Sequence, residues 1–291
     1  MCWEQIGLHR ALAGKGDDWL LLPKGFSSFV TPCPTRLAVY IHDVMAVTFA
    51  DRYPGSMSRV KQAYFAACYR ASLARARVVF TNTEFSRREL ESWAARHGLR
   101  CPPVVVVGYG VDRPPPAGGV AEGEDRVLVF VRRSPHKRTD LAFKYVEQWR
   151  KQYGYRGRLT AIGTLPAGLR LPGDGTWTHE DRLSPAAYAG LMGRSRVAVH
   201  FSEYEGFGMP PLEAVLAGAC PVYSDLPPER EVMNGAGWPF ETQSYDSFAA
   251  AMNQAMATSP DQVRVWKDRL MARHDWPTVA GRVVSALREF A

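Results

Sequence analysis

The segment Ser202-Glu203-Tyr204-Glu205-Gly206-Phe207-Gly208-Met209-Pro210-Pro211-Leu212-Glu213 brings carboxylates, glycines and a proline pair into one short stretch. An apolar, β-branched run over 197–201 precedes it and predicts a strand, while 210–217 reads as a helix with proline in its first turn, where the missing N–H would be unbonded anyway. A loop at the carboxyl end of a parallel strand is where open α/β sheets bind ligands. The unbonded amides of the following helix favour phosphate. Gly206 and Gly208 let the backbone approach a ligand closely, and Glu205 and Glu213, eight residues apart, are acceptor-only groups suited to sugar hydroxyls. Taken singly, each feature has an ordinary explanation. A glutamate in the first turn of a helix is stabilising without any ligand, and glycines serve any tight loop. The combination points to a ligand carrying both phosphate and hydroxyls.

The elements around this loop alternate regularly. Strands are expected at 127–131, 159–163, 197–201 and 220–224, and helices at 140–153, 184–194 and 210–217. That alternation predicts a parallel, doubly wound sheet. Further helices are expected at 244–259, 260–274 and 276–291. Nearer the N-terminus, 36–41, 78–81 and 104–107 read as strands. A long helix is expected from Ser56 to Arg77, with Val60, Tyr64, Ala67, Cys68, Ala71 and Ala74 on its apolar face, and a second from Ser86 to His97, with Thr83 or Glu84 near its cap and Gly98 as its stop. The run Arg113-Pro114-Pro115-Pro116-Ala117-Gly118-Gly119 has no periodicity and predicts a linker. The expected organisation is therefore two α/β domains, 1–115 and 120–275, with 276–291 crossing back towards the first.

Hydrophobic residues make up 46% of the 291 residues and charged residues 22%, which is ordinary for a globular protein and excludes disordered and fibrous classes. No run approaches the ~18 apolar residues of a membrane span, and the first residues lack the pattern of a secretory signal. Cys2, Cys33, Cys68, Cys101 and Cys220 are scattered without a CxxC pair, so neither a zinc site nor a disulfide framework is expected and the reading is cytoplasmic. The net charge of +7 fits an anionic substrate, a membrane surface or nucleic acid; an arginine-rich proteome gives the same balance.

The string from Tyr204 to Ala214, followed by Gly218-Ala219-Cys220-Pro221-Val222, resembles the E-x7-E signature of family-4 retaining glycosyltransferases of the GT-B fold. Ile41-His42-Asp43 is similar to that family's HD at the end of an N-domain strand. Thr83 to Leu90 resembles its S-x-x-S helix start, and Gly110-Val111-Asp112 its interdomain G-V-D. Glu231-Val232 and Trp276 fall where the family has P-E-V and a late tryptophan. The resemblance implies two Rossmann-like domains facing a cleft. The N-terminal one is expected to be reduced, because Trp3 to Leu12 reads as the helix that follows the family's first strand and Gly-rich loop.

The resemblance also implies roles. Glu205 would contact the donor sugar and Glu213 the nucleotide ribose. Backbone amides from Gly206, Phe207, Gly208 and Met209 would meet sugar hydroxyls, and those near Leu212 the diphosphate. An arginine and Lys137 would grip the diphosphate, with Arg132 and Arg133 as alternatives because an arginine replaces the family's glycine at this turn; a solvated basic turn is the ordinary reading of the same residues. Cations there stabilise a leaving group as its charge develops. His42 would hydrogen-bond the donor sugar near the reacting centre, with Asp43 orienting it or capping the next turn. The implied reaction moves a hexose-type sugar from a nucleotide-diphosphate sugar to an acceptor hydroxyl with retention, without metal or cofactor, and the sequence offers no D-x-D motif. The acceptor stays open: Arg59, Lys61, Arg70, Arg75 and Arg77 suit a membrane lipid, a glycan or DNA, or are simply a solvated face. Two other classes remain, a non-catalytic nucleotide-sugar-binding subunit and a glycoside hydrolase using Glu205 and Glu213 as an acid/base pair.

Overall fold

The computed structural model describes residues 3–12, 19–31, 35–54, 57–112, 124–173 and 175–291. The expected linker at 113–119 lies outside the described residues. The chain divides into two compact units, Met1–Gly110 with Trp276–Ala291, and Val111–Asp275.

The first unit is built on a four-stranded parallel sheet, β1 (Trp19–Leu22), β2 (Arg36–Tyr40), β3 (Val78–Thr81) and β4 (Val104–Val106), in that spatial order. Successive residues of a strand face opposite sides, and both sides here are covered. Leu37, Val39 and Val79 pack on one side with Tyr69, Leu73, Leu90 and Trp93. Ala38, Tyr40, Val78 and Phe80 pack on the other with Ala286. Burial on both faces explains the unbroken apolar runs read from the sequence. The helices are α1 (Leu8–Leu12), α2 (Met45–Arg52), α3 (Arg59–Arg75), α4 (Glu84–Arg96) and, from the far end of the chain, a helix at Trp276–Glu289. Thr83 caps α4 by accepting from the Ser86 amide at 3.1 Å. The expectation for α3 is corrected: it starts at Arg59, its buried face is Cys68, Tyr69, Ser72 and Leu73, and Val60 is 81% exposed. Bulk decides this, because Tyr69 and Leu73 bury far more surface than the alanines that set the expected stripe.

The second unit holds a six-stranded parallel sheet. Its strands are β5 (Glu124–Phe130), β6 (Arg158–Ile162), β7 (Trp177–Glu180), β8 (Ser195–His200), β9 (Cys220–Ser224) and β10 (Trp238–Phe240), in spatial order 10-9-8-5-6-7. The helices are α5 (Thr139–Gln152), α6 (Pro185–Gly193), α7 (Met209–Ala217), α8 (Pro227–Met233), α9 (Tyr245–Ala257) and α10 (Pro260–His274), so the helix at Trp276–Glu289 is α11. From β5 the chain winds one way to β6 and β7, then returns to place β8 on the other side of β5. The strand order therefore reverses between β5 and β8, and the loops leaving those two strands open beside each other at the switch point, where such sheets bind ligands. Among the described residues, α2, α8, a 3-10 turn at Pro135–Lys137 and the short strands β1, β7 and β10 go beyond the expectations. Among the described residues no helix is long and apolar enough to cross a membrane.

Candidate active site

The switch point collects the second unit's candidate residues. The loop after β5 carries Arg132, Arg133 and Lys137, and the loop after β8 carries Glu205 to Gly208. Lys137 Nζ forms an ion pair with Glu205 Oε1, and both side chains are largely enclosed, at 18% and 11% exposure. The Glu203 amide donates to the His136 carbonyl at 2.7 Å, tying the two loops together. Arg138 reinforces this tie through Glu203 at 2.5 Å and Asp140 at 3.0 Å. It does so from a left-handed backbone, φ +41°, a conformation that costs a non-glycine residue energy and that the two ion pairs help to hold.

The basic turn separates into two roles. The Arg132 amide donates to Thr139 Oγ1 at 3.2 Å, and its guanidinium passes over Gly163, where any side chain would collide with it. Its charge reaches Glu213, Tyr188 and His200. Arg133 instead lines, with Arg132, Arg138 and the 166–169 loop, a groove of about 590 Å³. Of the two alternatives read from the sequence, Arg132 reaches both the Glu213 side and the groove, and Arg133 lines the groove.

Glu213 lies in the second turn of α7 rather than the first, which corrects the dipole explanation for it; no acidic residue occupies the first turn. Tyr188 of α6 donates to its Oε2 at 2.7 Å. Burial pushes the Glu213 carboxyl above the usual range, against the opposing pull of the Tyr188 hydrogen bond and Arg132. The start of α7 has Gly208 at its cap with φ +89° and no side-chain cap; Pro210 and Pro211 carry no N–H, so the Met209 amide is the first-turn donor left for another acceptor. Phe207 and Leu212 are 5% and 0% exposed. Their side chains belong to the core, Phe207 standing edge-on to His274 with ring centres 5.5 Å apart.

Beneath Glu205 lies a pair that sequence reading missed. His200 ends β8 and is 2% exposed; Glu229 of α8 is 0% exposed. His200 Nδ1 is 2.9 Å from Glu229 Oε1, and His200 Nε2 is 3.4 Å from Glu205 Oε1. One ligand atom from each of His200, Glu205 and Glu229 lies within 4.8 Å of the others, but the ammonium of Lys137 already sits against Glu205 where a cation would be drawn. Tyr188 was missed as well. Neither a tyrosine on a helix nor a histidine ending a strand carries a spacing signal.

His42 belongs to the first unit. It follows β2, its Nε2 is 2.9 Å from the Pro23 carbonyl, and its ring lies between Tyr40 and Tyr109, with centres 4.6 and 5.9 Å away. Asp43 accepts from the Met45 amide at 2.8 Å, which makes it a start signal for α2.

The family described as Glycosyl transferases group 1 matches residues 115–268, more than half of the chain. The chain belongs to this family. Among curated relatives, this group 1 chain is 31% identical over 173 residues to the GDP-mannose:cellobiosyl-diphosphopolyprenol alpha-mannosyltransferase of Komagataeibacter xylinus, covering 53% of this chain and 42% of that protein. It is 31% identical over 100 residues to the enzyme of the same name from Xanthomonas oryzae pv. oryzae, covering 32% and 26%. The chain thus spans less than half the length of the curated relatives it matches. Among solved structures, the UDP-forming α,α-trehalose-phosphate synthase of Burkholderia vietnamiensis superposes with a TM-score of 0.68 at 14% identity, over 88% of this chain and 68% of that one. S. aureus TarM superposes with a TM-score of 0.67 at 14% identity, over 89% and 52%. At that identity the likeness concerns the fold, which is α/β of the GT-B type with two parallel Rossmann-like sheets.

Proposed function

We propose that this chain is a retaining glycosyltransferase that moves a hexose from a nucleotide-diphosphate sugar to an acceptor hydroxyl without a metal ion. The observation that carries this reading is the convergence of Arg132, Lys137, Glu205 and Glu213 on the uncapped start of α7 at the switch point. Such a site matches a ligand that is anionic at one end and rich in hydroxyls at the other. Arg132, Lys137 and the Met209 amide at the start of α7 meet the diphosphate and stabilise it as the sugar leaves. Glu213, steadied by Tyr188, accepts from ribose hydroxyls, and Glu205 accepts from the sugar. The leaving diphosphate deprotonates the acceptor on the same face, so no protein nucleophile is assigned. The resemblance assigns His42 a hydrogen bond to the donor sugar.

The names of the curated relatives make GDP-mannose the donor to test first and a lipid-linked diphosphate glycan the acceptor class. The composition of α3 supports an anionic acceptor or peripheral contact with anionic lipid, since it carries Arg59, Lys61, Arg70 and Arg75 and no acidic residue. Thermal shift with a panel of nucleoside diphosphates and their hexose derivatives tests the donor. A ligand bound only by the folded state raises Tm by mass action, by an increment equivalent to about 2.7 kcal/mol at one hundred times Kd. The expected result is one base winning clearly, with its sugar nucleotide binding at the same site. If no nucleotide shifts the protein, the donor assignment fails. Turnover of a simple glycoside without nucleotide would establish the hydrolase reading instead.

A further inference from the structure

The buried pair under Glu205 has an arrangement of protons that its geometry narrows to one. We propose that Glu229 and His200 are positioning residues for Glu205: Glu229, held as a neutral acid, donates to His200 Nδ1, and the resulting tautomer presents Nε2–H to Glu205. This deepens the glycosyltransferase reading, since it assigns the support of the carboxylate that the donor sugar meets.

The geometry carries the argument. Glu229 Oε1 lies 2.9 Å from Nδ1, while Glu229 Oε2 is buried with no hydrogen-bond partner. An ionised carboxylate with a bare buried oxygen is far costlier than a protonated one, which leaves only an unpaired carbonyl. With Nδ1 accepting the Glu229 O–H, the single ring proton must sit on Nε2, which faces Glu205 Oε1 at 3.4 Å. The slot for Glu229 is built into the backbone. A Cβ on Gly208 would stand 2.5 Å from Glu229 Cγ, so glycine at the start of α7 is what lets this side chain pass beneath the loop. The charges around the pair act in the same direction. His200 is driven well below its usual pKa by burial, then by Lys137, His136 and Arg132. Glu229 is driven well above its own by burial, then by Glu205, with Asp225 adding and Lys137 opposing. The pair itself then carries no charge beneath the Lys137–Glu205 contact.

The test separates this inference from the donor assignment. Protein labelled with ¹⁵N-histidine, full chain and without nucleotide, reports each ring's tautomer by long-range ¹H–¹⁵N correlation, with His200→Gln assigning the signal. The expected result is an Nε2–H tautomer that stays neutral from pH 5 to 8 and persists in Glu229→Gln, whose amide still donates to Nδ1. In Glu229→Met the tautomer is lost or mixed. An imidazolium, or an Nδ1–H tautomer, in the unmodified protein overturns the proposal whether or not the protein transfers sugar. Once the donor is identified, Glu229→Met should lower kcat by up to about 100-fold with little change in nucleotide affinity, as a small misplacement of a reacting group does, and Glu229→Gln should restore most of it. Equal kcat in all three proteins also overturns it. Thermal melts of both variants show whether each is folded.

Discussion

Glu205 and Glu213 come from one motif and meet different surroundings. Glu205 rests on Lys137 and His200, whereas Glu213 is gripped by a tyrosine hydroxyl and pushed above the usual carboxylate range by burial. Different tasks follow: Glu213→Ala should weaken nucleotide binding, and Glu205→Ala should mainly lower turnover. Calorimetric Kd and steady-state kcat on both variants check this, and the reverse pattern would exchange the assignments. A pH dependence follows from the sign of the Glu213 shift. The ionised form is the acceptor for ribose hydroxyls, and its folded pKa is raised, so affinity should fall as pH drops through a value above the ordinary glutamate pKa. In Glu213→Gln the profile should be flatter in that window. The spacing of the two glutamates and of Lys137 was legible in the sequence. Tyr188, His200 and Glu229 were not, because each joins the site only through neighbours brought close by the sheet order, such as the 29-residue separation of His200 and Glu229.

The loop from β8 into α7 shows how an element places these residues. Gly208 is held at φ +89° and closes over Glu229, so alanine there suffers twice, from the left-handed backbone and from collision with a buried side chain. Gly208→Ala should cost about 2–4 kcal/mol. Adding Glu229→Ala should return the collision part but not the backbone part. Denaturant melts of the two single variants and the double variant form the cycle that separates them; strict additivity would show that the slot is not shared. The neighbouring elements also explain which strands could be read in advance. The interior strands β2, β3, β5, β8 and β9 are largely buried and apolar, with at least one valine in each. β7, Trp177-Thr178-His179-Glu180, carries one large apolar residue, and β10 is three residues with a proline. Each is a strand because a neighbour offers its edge, Leu159 beside Trp177 and Val222 beside Trp238. That is tertiary information no local pattern holds.

At the scale of the molecule, the chain leaves its first unit after Gly110 and re-enters it at Trp276. The residues just beyond these crossings are paired, the Val111 amide donating to the His274 carbonyl at 2.8 Å. What returns is structural for the first unit. Ala286 packs among Ala38, Tyr40, Val78, Phe80 and Val107, with Val283, Leu287 and Phe290 at the margin. Arg282 donates to the Val107 carbonyl at 3.0 Å, and Arg77 to that of Phe290 at 2.6 Å. Burying a large apolar side chain contributes about 1.5–3 kcal/mol, so several together amount to much of the roughly 5–15 kcal/mol by which a domain is stable. A chain ending at Asp275 should therefore lose one whole face of the first sheet and leave the second core intact. Hydrogen exchange read by mass spectrometry distinguishes the units: peptides from β2 and β3 should lose protection, while those from β5, β8 and β9 keep it. Nucleotide-dependent protection of the loops after β5 and β8 should persist in the shortened chain, because Arg132, Lys137, Glu205 and Glu213 all lie in the second unit. If β2 and β3 stay protected, α11 is a passive cover; if β5 and β8 lose protection as well, the two units do not fold as separate cores.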